Sequence, residues 1–306
     1  MVLNQNYSAP KPKPKPKLDT IPPNPDNPPL TIKPSGYYVF FEKVLNCLQI
    51  NDPQQKTQTC EQLWREWQSG HFGKTDFHQP LEHSEYEVGH PQKPRLVHPR
   101  ELPKRSVHTP QGIATMVHAF AHIEFNAINL ALDAVYRFRG LPAQYYDDWL
   151  RIAAEEAYHF KLLQGALHTR GFHYGDFDAH NGLWDMAMRT AHDPLVRMAV
   201  IPRGLEARGL DVTPAILEKF RAVQENDLVQ ILEIILRDEI GHVHCGTYWF
   251  NYLCERDGVS SQETFERLVR QYGKEGVKSP LHRQARIQAG FSEAELLFLE
   301  GLEGLE

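Results

Sequence analysis

Two segments of this 306-residue chain carry the same spacing of two metal-binding residue types: Glu156-Ala-Tyr-His159 and Glu239-Ile-Gly-His242. On a helix each residue advances about 100°, so a Glu and a His three apart sit about 60° apart and reach into one site. One such pair is unremarkable in a chain with 39 Asp+Glu and 16 His. Each pair here also has a lone glutamate upstream: Glu124 precedes Glu156 by 32 residues and Glu206 precedes Glu239 by 33. The two halves therefore repeat. The Gly140-Leu141-Pro142 break lies midway between Glu124 and Glu156, so a helical hairpin turning there brings both to the same height.

Four carboxylates neutralise two divalent ions and can bridge them, and two imidazoles suit iron or manganese. Six ligands shared by two metals leave coordination positions open for O2 or peroxide. A structural zinc site would use fewer, usually sulfur-rich ligands. An additional acid precedes each pair, Glu155 and Asp238, four residues before the histidine and about 40° around the helix. These acids are expected to accept a hydrogen bond from the non-ligating histidine nitrogen and fix its tautomer; solvent exposure is the plainer reading. Spacing alone also permits Glu155 to replace Glu156 as ligand, although the shorter Asp238 in the second copy argues against it.

Other residues read as bystanders. His122 points away from Glu124, and His244 lies about 140° from Glu239. Cys245 reads as a buried thiol, and Tyr158, Phe120, Phe160 and Trp249 as core that could border a pocket. Arg203 and Arg208 read as surface salt-bridge partners, or as groups facing an anion. No phosphate-binding glycine loop and no Ser-His-Asp grammar is present.

The elements that must position these residues are helices. Thr109-Pro110 caps a run without further proline or glycine from Gly112 to Gly140. Leu141-Pro142 restarts the pattern, which stops near Gly171. After an expected loop around HYGDFDAHNG, a third stretch begins by Asp193-Pro194, shortened or kinked by Pro202 and Gly204. Thr213-Pro214 is expected to start a separate piece, and a long fourth helix ends near Gly258. The fold class is all-α: a four-helix bundle over 109–258 with N- and C-terminal helical extensions. The flanks divide into a disordered Pro/Lys-rich tail at 1–35, accessory helices and a wrapping segment at 36–108, and a helical extension at 259–306.

Composition narrows the function classes. Five lysines and two aspartates give residues 1–35 a charge of +3, leaving −9 on the remainder of a chain whose formal charge is −6. An acidic body disfavours a broad nucleic-acid footprint. No apolar stretch approaches a membrane span, and no secretory leader opens the chain, so a cytoplasmic protein is expected. Four cysteines without a CxxC pair imply reduced thiols.

One Glu from each of two helices plus Glu-x-x-His from each of the other two is the ligand pattern of ferritin-like dimetal carboxylate bundles. The segments AHIEFNAINLALDAVYRF, AAEEAYHFKLL, IPRGLEARGLDVTP and ILRDEIGHVHCGTYWF, with LVHPRELPKR and KSPLHRQARIQAGF, resemble a bacterial ferritin-like family of unknown function related to the diiron-carboxylate proteins. The resemblance spans roughly residues 36–300. It implies a ferritin-like fold, two metal ions, with iron expected and manganese the alternative, and a ligand set of Glu124, Glu156, His159, Glu206, Glu239 and His242. The expected function is an O2-activating oxidoreductase of hydroxylase or oxygenase type. It would use an external electron-donor protein and a small-molecule substrate rather than nucleic acid. Ferroxidase or peroxide-removing chemistry, and a non-enzymatic metal-binding bundle, are the alternatives.

Overall fold

The computed structural model describes residues 39–81, 85–102, 106–273 and 280–302, all within one compact unit, Gly36–Glu306. The expected tail at 1–35 and the start of the first helix at Gly36 lie outside the described residues. Among the described residues the chain is helical, with no strand and one isolated bridge between Leu96 and Ala179. None of these helices is long and apolar enough to cross a membrane.

The centre is a hairpin of α3 (Pro110–Arg137) and α4 (Ala143–Thr169). Thr109 caps α3 by accepting from the Gly112 backbone N–H at 3.1 Å, with Pro110 at the first helical position, as the sequence predicts. Gly140 turns the chain in the left-handed region, φ 73°, where its lack of a Cβ avoids strain. The Tyr146 hydroxyl then donates to the Phe138 carbonyl at 3.0 Å and closes the loop.

The partner hairpin is α6 (Pro194–Val200), a π-helical turn (Ile201–Glu206) and α7 (Ala207–Ala222), returning as α8 (Asn226–Asp257). These first three pieces form one continuous helical run. The expected separate start at Thr213-Pro214 is not observed, because α7 passes straight through Pro214. Leu210, Leu217 and Phe220 bury one face of α7, and that burial outweighs the backbone hydrogen bond proline removes. Between the expected loop around HYGDFDAHNG and Asp193 the structure adds a helix, α5 (Gly182–Arg189), whose Trp184 and Ala187 bury against Leu130 and Ile201.

Two N-terminal helices, α1 (Val39–Leu48) and α2 (Pro53–Gln68), pack on α3 and α4 through Phe40, Trp67, Phe72 and Tyr146. Three C-terminal helices, α9 (Ser261–Tyr272), α10 (Arg283–Gln288) and α11 (Glu293–Gly301), lie on α6, α7 and α8. Buried charge pins these layers. Asp133 on α3 accepts from Arg197 on α6 at 2.6 Å, from Arg137 at 2.8 Å and from the Tyr86 hydroxyl. Buried Lys56 on α2 donates to the Leu48 and Gly89 carbonyls, each at 2.9 Å, and to Asn129 of α3.

Candidate metal centre

Glu124 from α3, Glu156 and His159 from α4, and Glu239 from α8 each offer a ligand atom, and these four atoms lie within 4.8 Å of one another. They form a buried Glu/His cluster that could hold a metal ion. Apolar helix faces put them there. Phe125 and Ile128 beside Glu124, and Ala157 and Phe160 beside the second pair, are fully buried, which carries the carboxylates inward with them.

Glu156 occupies the middle. Its Oε2 lies 3.2 Å from His159 Nδ1 and its Oε1 lies 2.9 Å from His242 Nδ1. Glu124 Oε2 is 3.3 Å from His159 Nδ1, and Glu239 Oε1 is 3.7 Å from His242 Nδ1. Each histidine therefore has one carboxylate from its own helix and one from elsewhere directed at the same ring nitrogen.

The outer ring nitrogens are held by the two additional acids, and the pairing crosses between helices. His159 Nε2, on α4, lies 3.1 Å from Asp238 Oδ2 of α8, and His242 Nε2, on α8, lies 2.9 Å from Glu155 Oε2 of α4. With Nε2–H donating to these acids, Nδ1 is the atom turned to the centre, and its lone pair becomes available once an incoming cation displaces its proton. Each acid is gripped in turn by an arginine of its own helix, Glu155 by Arg151 at 2.7 Å and Asp238 by Arg237 at 2.9 Å. The sequence reading gives Glu155 and Asp238 this task but not the arginines, although the i,i+4 spacing of Arg151 and Glu155 is itself a signal. Both acids reach the surface, with side chains 34% and 21% exposed, whereas the two histidines do not.

His242 is not in the group within 4.8 Å, meeting it through Glu156 and Glu239, and Glu206 stands apart from it as well. It ends the π turn, half-buried, where its carboxyl feels the charges of Glu239, Glu156 and His242. Pro202 lacks the N–H of a regular turn, and the wider turn closes through the Ala207 N–H to the Pro202 carbonyl. Gly246 of α8 admits that turn. A Cβ on Gly246 would lie 2.4 Å from Cβ and Cγ of Pro202.

The electrostatics show a centre with excess negative charge. Burial, then the neighbouring Glu156, raises the Glu124 and Glu239 carboxyls, and burial followed by Glu239 pushes Glu206 up to about 8. Burial would also raise Glu156, but the charge of His242 and the hydrogen bond from His159 outweigh it and hold that carboxyl below its ordinary range. The histidines are pulled upward against their own burial: His159 to about 11 by Glu124 and Glu156, and His242 well above the ordinary imidazole range by Glu156 and Glu155. Within the centre, Glu239 Oε2 and His242 Nδ1 are buried without a hydrogen-bond partner. The contact of His242 Nδ1 with Glu156 is thus close without being aligned for a hydrogen bond. Converging carboxylates, imidazoles fixed through the far nitrogen, and orphaned oxygen and nitrogen atoms fit a hard-to-borderline cation.

The bystanders fall elsewhere. His122 Nδ1 meets the Tyr174 hydroxyl at 2.9 Å, and His244 is exposed. Cys245 is buried, and burial pushes its thiol up. Phe160 and Trp249 are core, whereas Tyr158 is 45% exposed. Arg203 is no surface residue: it is buried and pairs with Glu295 at 2.7 Å.

Fold and site together define an all-helical protein with a buried Glu/His cluster able to bind metal. Residues 49–297 match the family described as "Protein of unknown function (DUF455)", and the chain belongs to it. It is 43% identical over 274 residues to a Haemophilus influenzae (strain ATCC 51907 / DSM 11121 / KW20 / Rd) protein described as an uncharacterized protein, covering 86% of this chain and 94% of that one. No solved structure matches the chain.

Proposed function

We propose that this chain is a dimetal carboxylate oxidoreductase of ferritin-like architecture. The bundle would be α3, α4, the α6–α7 run and α8, and the ions two irons, with manganese as the alternative. The observation that carries the reading is Glu156, whose two oxygens separately approach the inner nitrogens of two histidines, as a bridging carboxylate would. Glu124 and His159 would serve one ion, and Glu239, His242 and Glu206 the other. Two such ions, when bound, supply the electrons and open coordination positions that O2 activation requires.

The protein's own groups have separate tasks. Asp238 and Glu155 hold the Nε2 protons of His159 and His242, which keeps each ring turned with Nδ1 inward and raises its basicity as a ligand. Because both acids are partly exposed, they also connect the buried imidazoles to solvent for proton exchange. Phe125, Ala157 and Phe160 exclude water from the rest of the centre. The chain has no CxxC pair, so reducing equivalents would come from a separate donor protein. The acidic body favours a small-molecule substrate over nucleic acid, in the cytoplasm.

The test is anaerobic loading with Fe(II) followed by O2, measuring O2 consumed per chain with and without a chemical reductant. Uptake that continues with reductant supports the oxidoreductase reading. A single stoichiometric uptake that stops when Fe(II) is spent would move the assignment to ferroxidase chemistry, and bound iron inert to O2 would remove both.

A further inference from the structure

The C-terminal helices do more than cover the bundle. Glu206 is the one candidate ligand carried by an irregular turn, and it is bracketed by two buried ion pairs that both lead to the C-terminal segment. Three residues before it, the Arg203 guanidinium donates to Glu295 of α11 at 2.7 Å and to Thr247 of α8 at 3.2 Å. Phe250, Phe265 and Phe291 surround that guanidinium at 4.6, 4.2 and 4.7 Å. Five residues after Glu206, Asp211 accepts a two-pronged contact from Arg286 of α10, at 2.9 and 2.6 Å, and a third bond from the His282 backbone N–H at 2.9 Å.

The π turn makes this division of labour possible. In an α-helix, residues three apart lie about 60° apart and share a face. A π turn advances each residue by roughly 80°, so Arg203 and Glu206 diverge by roughly 115°. Arg203 can then face α9 and α11 while Glu206 faces the charges of Glu239, Glu156 and His242.

A buried ion pair is weak support for stability by itself, since desolvation offsets most of the attraction. Arg203 even keeps one buried guanidinium nitrogen, Nη1, without a partner. Two such pairs on either side of one carboxylate fit better with fixing a position than with holding a fold. Building on the dimetal reading, we propose that α9–α11 act as an intramolecular clamp that places Glu206 for the second metal ion, with Arg203, Glu295, Asp211 and Arg286 as positioning residues.

Cobalt(II) titration of the full chain tests this, because Co(II) absorption reports both the number of ions and the ligands around each. The parent is expected to take up two ions. Glu295→Gln and Asp211→Asn should each bind the first ion as the parent does and the second at least tenfold more weakly, with an altered Co(II) spectrum. Phe40→Leu, in the distant aromatic cluster of α1, serves as the control for general destabilisation: it should lower thermal stability yet keep both ions. If the clamp variants bind both ions with parental affinity and spectrum, or if Phe40→Leu loses the second ion equally, the clamp is refuted while the dimetal reading stands. A parent chain that binds no cobalt overturns both.

Discussion

Glu155 Oε2 lies 2.9 Å from Nε2 of His242, on the opposite helix, rather than holding the histidine of its own motif. Asp238 returns the exchange by holding His159. The two motifs are therefore interlocked: each helix supplies the histidine that the other helix orients. A continuous chain of contacts runs from Arg151 through Glu155, His242, Glu156, His159 and Asp238 to Arg237, with Glu156 at its midpoint.

This exchange predicts crossed effects of mutation. Asp238→Asn should weaken the ion served by His159 of α4, and Glu155→Gln the ion served by His242 of α8, each by about 10- to 100-fold in affinity. Metal titrations of the two variants, with helicity followed by circular dichroism, check this. Equal loss at both ions in both variants would contradict the crossed arrangement.

Metal uptake should release protons and strengthen as pH rises. His159, at about 11, and Glu206, at about 8, carry protons at neutral pH that a cation must displace, and Glu124, Glu239 and His242 are shifted in the same direction. For the metal-free protein the sign is opposite. Folded-state values raised above the unfolded ones mean that the native cluster binds more protons, so its contribution to stability falls as pH rises from about 5 to 9, offset in part by His90 and His122, held down to about 4 by burial, and by Lys56, lowered to about 7. Glu156, lowered, acts only below that window. Thermal unfolding across this range should show a metal-free Tm that decreases with pH and a metal-dependent gain that grows. A gain that shrinks toward pH 9 would contradict the assignment.

Gly246→Ala should damage the Glu206 side selectively. Its Cβ would sit 2.4 Å from the ring of Pro202, a rigid neighbour, so α8 and the π turn must separate. Overpacking of this kind costs about 1–3 kcal/mol. Denaturant unfolding should show that loss, and metal titration should show one ion weakened and the other retained.

Asp133→Ala should be a purely structural lesion. It leaves the buried Arg197 guanidinium without its carboxylate at 2.6 Å, and breaking a buried pair from one side costs about 3–5 kcal/mol. Equilibrium unfolding measures the loss. At a temperature where the variant is folded, its metal stoichiometry should equal the parent's.

Much of the helical frame was legible because its ends are marked chemically. Thr109-Pro110 opens α3, Gly140 turns the chain within the hairpin loop, and Gly258 closes α8 in the left-handed region. The face on which Glu156, His159, Glu239 and His242 lie was equally legible, because helical spacing fixes it. Spacing on one helix does not say which helix answers it, so the crossed pairing of Glu155 and Asp238 was hidden. Pro214 misled for a related reason. Local propensity reads it as the start of a new piece, but burial of Leu210, Leu217 and Phe220 carries the helix through it, whereas the disturbance expected at Pro202 is present as a π turn. The buried role of Arg203 depends on Glu295 and three phenylalanines, two of them from the C-terminal segment, which no local pattern reveals.

The proposed function turns on Glu156, which would be a ligand shared by both metal ions. Its most direct measurement is metal content per chain after anaerobic equilibration with Fe(II) and removal of free metal, comparing the parent with Glu156→Ala. The account predicts two irons in the parent and fewer than one in the variant, with helicity retained. A parent without iron, or a variant that still holds two, would contradict it.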